Sequence, residues 1–201
     1  PFSVPCLNPT TEMAMFNNLK ISTRLVGAFT VLLALILLIG ALSATRAIAV
    51  RDQLVDITER RMKIIAELEL IRDEGNFQAR ALRNMALMTD PAQVAQEKQA
   101  IEKSKAEVIR LVAELDKIIV STEGRALQQA TAEARQPFRD AQEKFTALLA
   151  GGQREEAVRF LLEDLRPLQM NYFKAIDNAV TLQSKGAEDA GAQAKAAVGN
   201  L

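Results

Sequence analysis

The side chains in this chain best suited to chemistry are its arginines and its one tyrosine. Arg135 and Arg139 stand four residues apart, Arg80 and Arg83 three, and Arg72, Arg166 and Tyr172 join them in the helical frame set out below. A guanidinium presents a planar fork of donors that meets a carboxylate in two parallel hydrogen bonds. Such groups bind anions and do not by themselves catalyse. Histidine is absent, which removes a His general base, a His metal ligand and a phospho-accepting His. The one cysteine, Cys6, precedes the long apolar run, so the folded part holds no Cys zinc site, disulfide or thiol nucleophile. An enzyme would be left with a carboxylate pair or a lysine nucleophile, and neither has a recognisable setting. No enzymatic activity and no cofactor or metal is expected.

The elements that must position these arginines are helices. Apolar residues make up 49% of the chain, yet aromatics only 4%, and Ala, Leu, Glu, Gln, Lys and Arg dominate, the vocabulary of helix formers. Basic and acidic residues balance at 25 each. Only Lys20, Arg24 and Glu12 precede Thr45, so the remainder is balanced too and carries no electrostatic footprint for nucleic acid.

Leu25 to Ala44 is a run of twenty uncharged residues, which as a helix spans roughly 30 Å, one hydrocarbon thickness. Its flanks, Lys20 and Arg24 before and Arg46 and Arg51 after, leave orientation undecided by charge. A cleaved signal peptide is the competing reading. Its apolar core would be only about 7–15 residues, and Ala41-Leu42-Ser43-Ala44 matches a cleavage site loosely, so an uncleaved anchor is expected. The aperiodic stretch before Met15 reads as an upstream extension of a start at Met15. The expected division is 1–24 extension and cytoplasmic start, 25–44 transmembrane helix, and 45–201 extracytoplasmic domain.

Three punctuation points divide that last part. Thr89-Asp90-Pro91 places a capping residue before Pro at the first helical position. Ser121-Thr122-Glu123-Gly124 is a second cap-type cluster, and Gly151-Gly152 is a helix stop followed by Glu155 and Glu156 in the next first turn. Helices are expected near 45–89, 91–120, 123–150 and 153–197. Each carries a seam of alternating three- and four-residue steps: Leu54, Ile57, Arg61, Ile64, Leu68, Ile71, Gly75, Gln78, Leu82 and Met85 in the first; Ile101, Ser104, Val108, Leu111, Leu115 and Ile118 in the second. The third gives Leu127, Thr131, Ala134, Phe138, Ala141, Phe145 and Leu148, and the fourth Val158, Leu161, Leu165, Leu168, Tyr172, Ala175, Ala179 and Leu182. Four such seams joined by short turns specify an all-α, up-down-up-down antiparallel four-helix bundle. Because the first helix continues from the membrane helix, the turn at 89–91 is distal and the fourth helix returns toward the membrane.

Pro137 and Pro167 each lie about fifteen residues from Gly151-Gly152, which puts two kink-prone points at one height, roughly 22 Å below the distal end. Arg72, Arg135, Arg139, Arg166 and Tyr172 fall near that layer, where kinks open space between helices. Plainer readings compete. An arginine flanking a heptad seam is ordinarily a solvated or salt-bridged surface residue, and Tyr172 reads equally as core with its hydroxyl at the edge. Arg61, at a seam position, would snorkel or meet a partner copy. Ser104 and Gln78 would pair inside the core and fix register.

Met15-Phe16-Asn17-Asn18-Leu19-Lys20-Ile21-Ser22-Thr23-Arg24-Leu25, running straight into a membrane helix, resembles the opening of methyl-accepting chemotaxis receptors. Gly151-Gly152-Gln153-Arg154-Glu155-Glu156-Ala157 is similar to the opening of the fourth helix in their ligand-binding domain, and the helical plan matches over about residues 15–198. The resemblance implies a bacterial inner-membrane protein whose periplasmic bundle forms a homodimer and binds a small molecule between helices. It also implies a cytoplasmic signalling half not contained in this chain. In the best-known members, arginines on the first bundle helix hold the ligand's carboxylate near the distal end of the dimer interface. Arg80 and Arg83 occupy the corresponding part here, without the three-arginine spacing of the aspartate receptors. Arg72, Arg80, Arg83, Arg135, Arg139 and Tyr172 are therefore the expected ligand-binding residues, and the expected ligand is an organic acid or amino acid. The same module precedes histidine kinases and diguanylate cyclases. An anchored structural or adaptor bundle is the reading from a different class, separated from a sensor by whether a second apolar run follows Leu201.

The seams predict that residues 45–201, made without the anchor, are soluble and almost wholly helical. Circular dichroism with substantial strand content would overturn that expectation.

Overall fold

The structure, a computed structural model, describes residues 20–199. Cys6, the start at Met15 and the first five residues of the opening phrase Met15–Leu25 lie outside the described residues. The chain divides into a unit around the first helix and a compact unit from Asp52 to Ala196. Among the described residues there is no strand.

Helix α1 (Ile21–Val55) buries none of its residues. The helix that begins at Ile21 is, among the described residues, the one long and apolar enough to cross a membrane by length and composition. Its hydroxyls are turned onto its own backbone: Thr30 Oγ1 donates to the Val26 carbonyl at 2.8 Å and Thr45 Oγ1 to that of Leu42 at 2.9 Å. Such back-bonding satisfies these two hydroxyls in an apolar setting.

The compact unit is built from α2 (Met62–Leu87), α3 (Pro91–Ile118), α4 (Thr122–Ala150), the short α5 (Arg154–Phe160) and α6 (Arg166–Gly199), with α5 and α6 forming the fourth member of the bundle. Each of the three turns uses the chemistry its residues suggest. Asp90 caps α3 by accepting from the Ala92 N–H at 2.9 Å, with Pro91 at the first position. Ser121 caps α4 by accepting from Gly124 N–H at 3.1 Å. At the end of α4, Gly152 takes φ +75° while Gln153 N–H reaches the Leu148 carbonyl at 2.9 Å and Gly152 N–H that of Leu149 at 3.1 Å. That is the paired closure of a Schellman turn, which needs a residue tolerant of the left-handed region. Arg154 then reaches across to the exposed C-terminus of α2, donating to the carbonyls of Met85 and Ala86 at 3.3 and 2.5 Å.

From Ile64 onward the seams face the core as expected, whereas at the start of the first seam Leu54 is exposed and Ile57 half-buried. Ile64, Leu68, Ile71, Leu82, Met85, Val108, Leu111, Leu115, Phe138, Phe145 and Leu165 are all nearly inaccessible. The stripe is wider than a strict heptad seam, because Ile119, Ile176 and Gln183 are buried beside the half-buried Ile118, Ala175 and Leu182. Gln78 and Ser104 pair as expected: Gln78 Nε2 donates to Ser104 Oγ at 2.9 Å. A third member, Gln142 on α4, donates its Nε2 to Gln78 Oε1 at 2.8 Å.

Two helical segments are wound more widely, with one residue more per turn: Asp56–Arg61 ahead of α2 and Leu161–Leu165 between α5 and α6. The second ends two residues before Pro167. Proline lacks the N–H for its turn and its ring collides with the carbonyl four residues back, and the widened turn makes room for both defects. In the first, Asp56 is bridged to both Arg60 and Arg61, the latter at 2.9 Å. A residue five positions on faces the same side only when the turn is wide. The hydrogen bond from Arg60, joined by that from Arg61, holds the Asp56 carboxyl below its usual range despite partial burial. Arg61 is thus occupied within its own chain, its guanidinium lying against Gly186 of α6.

Gln78→Leu should lower unfolding free energy by about 1–3 kcal/mol, because the Gln142 amide would be left buried without its acceptor and Ser104 would keep only its long contact to the Glu74 carbonyl at 3.4 Å. Chemical denaturation checks this, and replacing all three with apolar residues should recover much of the loss.

Candidate functional site

Along the bundle the buried polar layer of Gln78, Ser104 and Gln142 is followed by an aromatic one. Phe138 of α4 stacks on Tyr172 of α6 with ring centroids 6.0 Å apart. Phe173 comes so close to α2 that a Cβ on Gly75 would stand 2.7 Å from its ring, so any larger residue there would push the ring aside. Beyond this layer, toward the α3–α4 turn, packing gives way to a cavity of about 580 Å³. Its walls come from all four members of the bundle: Ile64, Leu68 and Ile71 of α2, Leu115 of α3 with Ile119 just beyond its end, Leu127 and Thr131 of α4, and Ala179 and Leu182 of α6.

Its exposed polar groups are paired among themselves or with neighbours on their own helix: Arg125 and Gln128 with Asp116, Gln129 with Glu133, and Gln136 with Asp140. Arg135 and Arg139 line it from α4, Tyr172 and Gln183 from α6. Tyr172 is 2% exposed and Gln183 5%, yet the Tyr172 hydroxyl, Gln183 Oε1 and Arg139 Nε have no hydrogen-bond partner. Buried polar atoms are nearly always partnered, so three around one cavity indicate something that completes them. Among the described residues neither Arg135 nor Arg139 takes part in an ion pair. Burial pulls Arg135 below the ordinary arginine range, Tyr172 opposes this, and the like charge of Arg139 adds to it. Burial likewise pushes the Tyr172 hydroxyl up to about 12, with Arg135 acting the other way. Tyr172 is therefore a neutral hydrogen-bond donor at physiological pH. The arrangement can hold an anion between two guanidinium forks and a phenol.

Of the six residues singled out from the sequence, Arg135, Arg139 and Tyr172 come together here. Arg72 does not reach the cavity; it spans from α2 to Asp177 of α6 at 3.2 Å and lies 3.9 Å from Glu69. Arg80 and Arg83 are exposed on α2 and away from the cavity, and Arg166 is exposed as well. The widened turn absorbs the irregularity at Pro167, whereas Pro137 lies between the two cavity arginines. Gln183 was not legible as a site residue. Its signal was a polar residue immediately beside the seam position Leu182, visible only if the buried stripe is taken as broad.

Residues 18–198 match the family described as four helix bundle sensory module for signal transduction. The chain belongs to that family. This is the module of methyl-accepting-type receptors, and it is a sensory unit rather than a catalytic one. Among solved structures, the chain is similar to a periplasmic sensor domain of a sensor histidine kinase, at 20% identity and a TM-score of 0.57. The match covers 70% of this chain and 92% of that one, and at that identity it speaks to the fold. No curated protein matches the chain.

Because the sensory module has one tyrosine and no tryptophan, phenolate absorbance reports Tyr172 alone. It should titrate near 12 rather than at the ordinary 10.0. A pKa raised on folding means the stability held by the neutral phenol is intact below the unfolded value. That stability is lost as pH climbs from 10.0 through about 12. Unfolding midpoints of the parent should fall more steeply across that window than those of Tyr172→Phe.

Proposed function

We propose that this sensory module is the periplasmic part of a membrane-anchored bacterial signal transducer, and that its ligand is a small organic acid bound by Arg135 and Arg139. The observation that carries this is the cavity: two half-buried guanidiniums and a buried phenol face one space with no carboxylate paired to them. Like charges one helical turn apart repel by a few tenths of a kcal/mol even when exposed. Keeping them together beside an apolar cavity suits a site whose counter-ion is supplied by a ligand. The charge-free run Leu25–Ala44 in α1 serves as the inner-membrane anchor, and residues 45–201 are the sensing domain. The periplasmic origin of the similar solved domain supports that side of the membrane.

The output is that of a methyl-accepting chemotaxis receptor, with a histidine kinase or diguanylate cyclase as the alternative, since one sensory module serves all three. The module works as a homodimer meeting through α2. A second reading of the ligand site follows from that contact: Arg80 and Arg83, exposed on α2, would hold the ligand between copies, with Arg72 beside them.

A thermal-shift series of organic acids, amino acids and uncharged sugars on the full chain tests the reading, because a ligand specific to the folded state raises its melting temperature. Acids should stabilise it. Arg135→Ala should weaken their binding by roughly 1–3 kcal/mol, with Arg80→Ala close to the parent. Loss in Arg80→Ala instead would move the site to the α2 face, and stabilisation by sugars alone would end the carboxylate reading.

A further inference from the structure

The two ends of the cavity differ, and the difference narrows what fits. At one end Arg135 of α4 faces Tyr172 of α6. At the other, Gln183 of α6 lies over Gly124 of α4, its Nε2 3.6 Å from where a Cβ on that glycine would stand. Eleven residues separate Gly124 from Arg135, and eleven separate Tyr172 from Gln183, so both antiparallel helices give the same span of roughly 16 Å. All the buried positive charge stands at the first end. Between the ends the walls are Ile64, Leu68, Leu115, Leu127, Ala179 and Leu182. The one hydroxyl among them, on Thr131, is already spent on the Leu127 carbonyl at 2.8 Å. The charged pair at the rim, Arg125 and Asp116, is exposed and mutually engaged at 3.7 Å, with Gln128 also on Asp116 at 2.8 Å.

We infer that the cavity takes a monocarboxylate with an uncharged, apolar body and a hydroxyl at the end away from the carboxylate. The inference rests on the sensing role proposed above and narrows it. The carboxylate meets Arg135 and Arg139 and accepts from the Tyr172 hydroxyl, which completes that atom. The body lies along the aliphatic walls. The terminal hydroxyl reaches Gln183, whose Oε1 is buried without a partner. A hydroxyl both donates and accepts, so it satisfies that amide in either orientation. With side chains reaching inward from both ends, the ligand is on the order of 10 Å long, the length of a para-hydroxylated aryl chain acid. The second charge of a dicarboxylate or an amino acid would have to break into the Arg125–Asp116 pair at the rim or lie among leucines and isoleucines, and both are costly. The site so defined lies inside one bundle and needs no residue from a second copy.

Calorimetric titration of the full chain in lipid nanodiscs tests this with four probes: para-hydroxyphenylpropanoate, phenylpropanoate, succinate and aspartate. The expected order is para-hydroxyphenylpropanoate tighter than phenylpropanoate by about tenfold, the value of one buried hydrogen bond near 1.4 kcal/mol, with succinate and aspartate not measurably bound. Gln183→Leu should erase the difference between the two aryl acids and leave phenylpropanoate unchanged. Arg135→Gln should weaken both at least tenfold, with helicity by circular dichroism confirming that each variant folds. The probe comparison on the parent chain stands even if a variant does not fold. Succinate or aspartate binding more tightly than the aryl acids, with dependence on Arg135, would overturn this inference and leave the organic-acid sensor intact. Equal affinity for the two aryl acids would remove Gln183 and the hydroxyl from it. Binding of none of the four would overturn it too, and the broader acid series above then decides whether the sensing role falls with it.

Discussion

Gln78 spends both ends of one amide on two neighbouring helices, and the rest of the bundle is arranged around that choice. Its Nε2 fixes Ser104 of α3 and its Oε1 accepts from Gln142 of α4. Neither bond tolerates a slide of one helical turn, because each partner would then be buried without a hydrogen bond. Three helices are thereby locked in register at one height. One turn further along, that register sets Gly75 beneath Phe173 and Phe138 against Tyr172. The aromatic layer closes one end of the cavity and aims the Tyr172 hydroxyl toward Arg135. A polar layer that stabilises little by itself thus determines where the binding chemistry can be.

The cavity follows from side-chain volume at that register. On the polar-layer side, α4 contributes Phe138 and Phe145, both essentially inaccessible. On the cavity side the same helix offers Thr131, Ala132 and Ala134, and α6 offers Ala179. Small residues from two facing helices at one height leave a space that the aliphatic residues of α2 and α3 do not fill. An empty apolar space costs the fold in proportion to its volume. Its position beside unpaired guanidiniums is what favours the proposed site over a packing defect.

Much of the fold was legible because helix caps and seams are local. Asp90-Pro91, Ser121 and Gly151-Gly152 each act within four residues, and the seam positions repeat at a spacing that only a helix presents on one face. The pairing of Gln78 with Ser104 was legible for the same reason, since two polar residues on buried stripes must satisfy each other. Gln142 was hidden by sitting next to the seam residue Ala141 rather than on it. The widened turns were harder still. Pro167 marks an irregularity, but whether it kinks the helix or is absorbed by an extra residue depends on packing around it. Asp56–Arg61 has no proline or glycine at all; its signal was an acid with arginines four and five residues on. The cavity arginines could be singled out but not sorted, because placing Arg135 inward and Arg80 outward depends on rotations of a few tens of degrees about each helix.

What connects such a cavity to an output is the character of the α2–α6 pairing. Among its polar side-chain contacts are Arg72 of α2 with Asp177, Arg61 of the widened turn ahead of α2 against Gly186, and Gln53 of α1 with Gln193 at 3.2 Å. All are at least partly exposed, and contacts of that kind are worth little individually, about 0–1 kcal/mol each. By contrast α2, α3 and α4 are tied by the buried amide layer. Helix α6 stands outside that buried layer, and it also supplies Tyr172 and Gln183 to the two ends of the cavity. A ligand that completes both atoms would act mainly on α6, favouring one offset of that helix along α2 over another. Such a bias can be no larger than the ligand's difference in affinity for the two offsets. One buried charge-assisted contact and one buried hydrogen bond, made in one offset and broken in the other, supply a difference of a few kcal/mol, enough to shift a two-state population by more than tenfold.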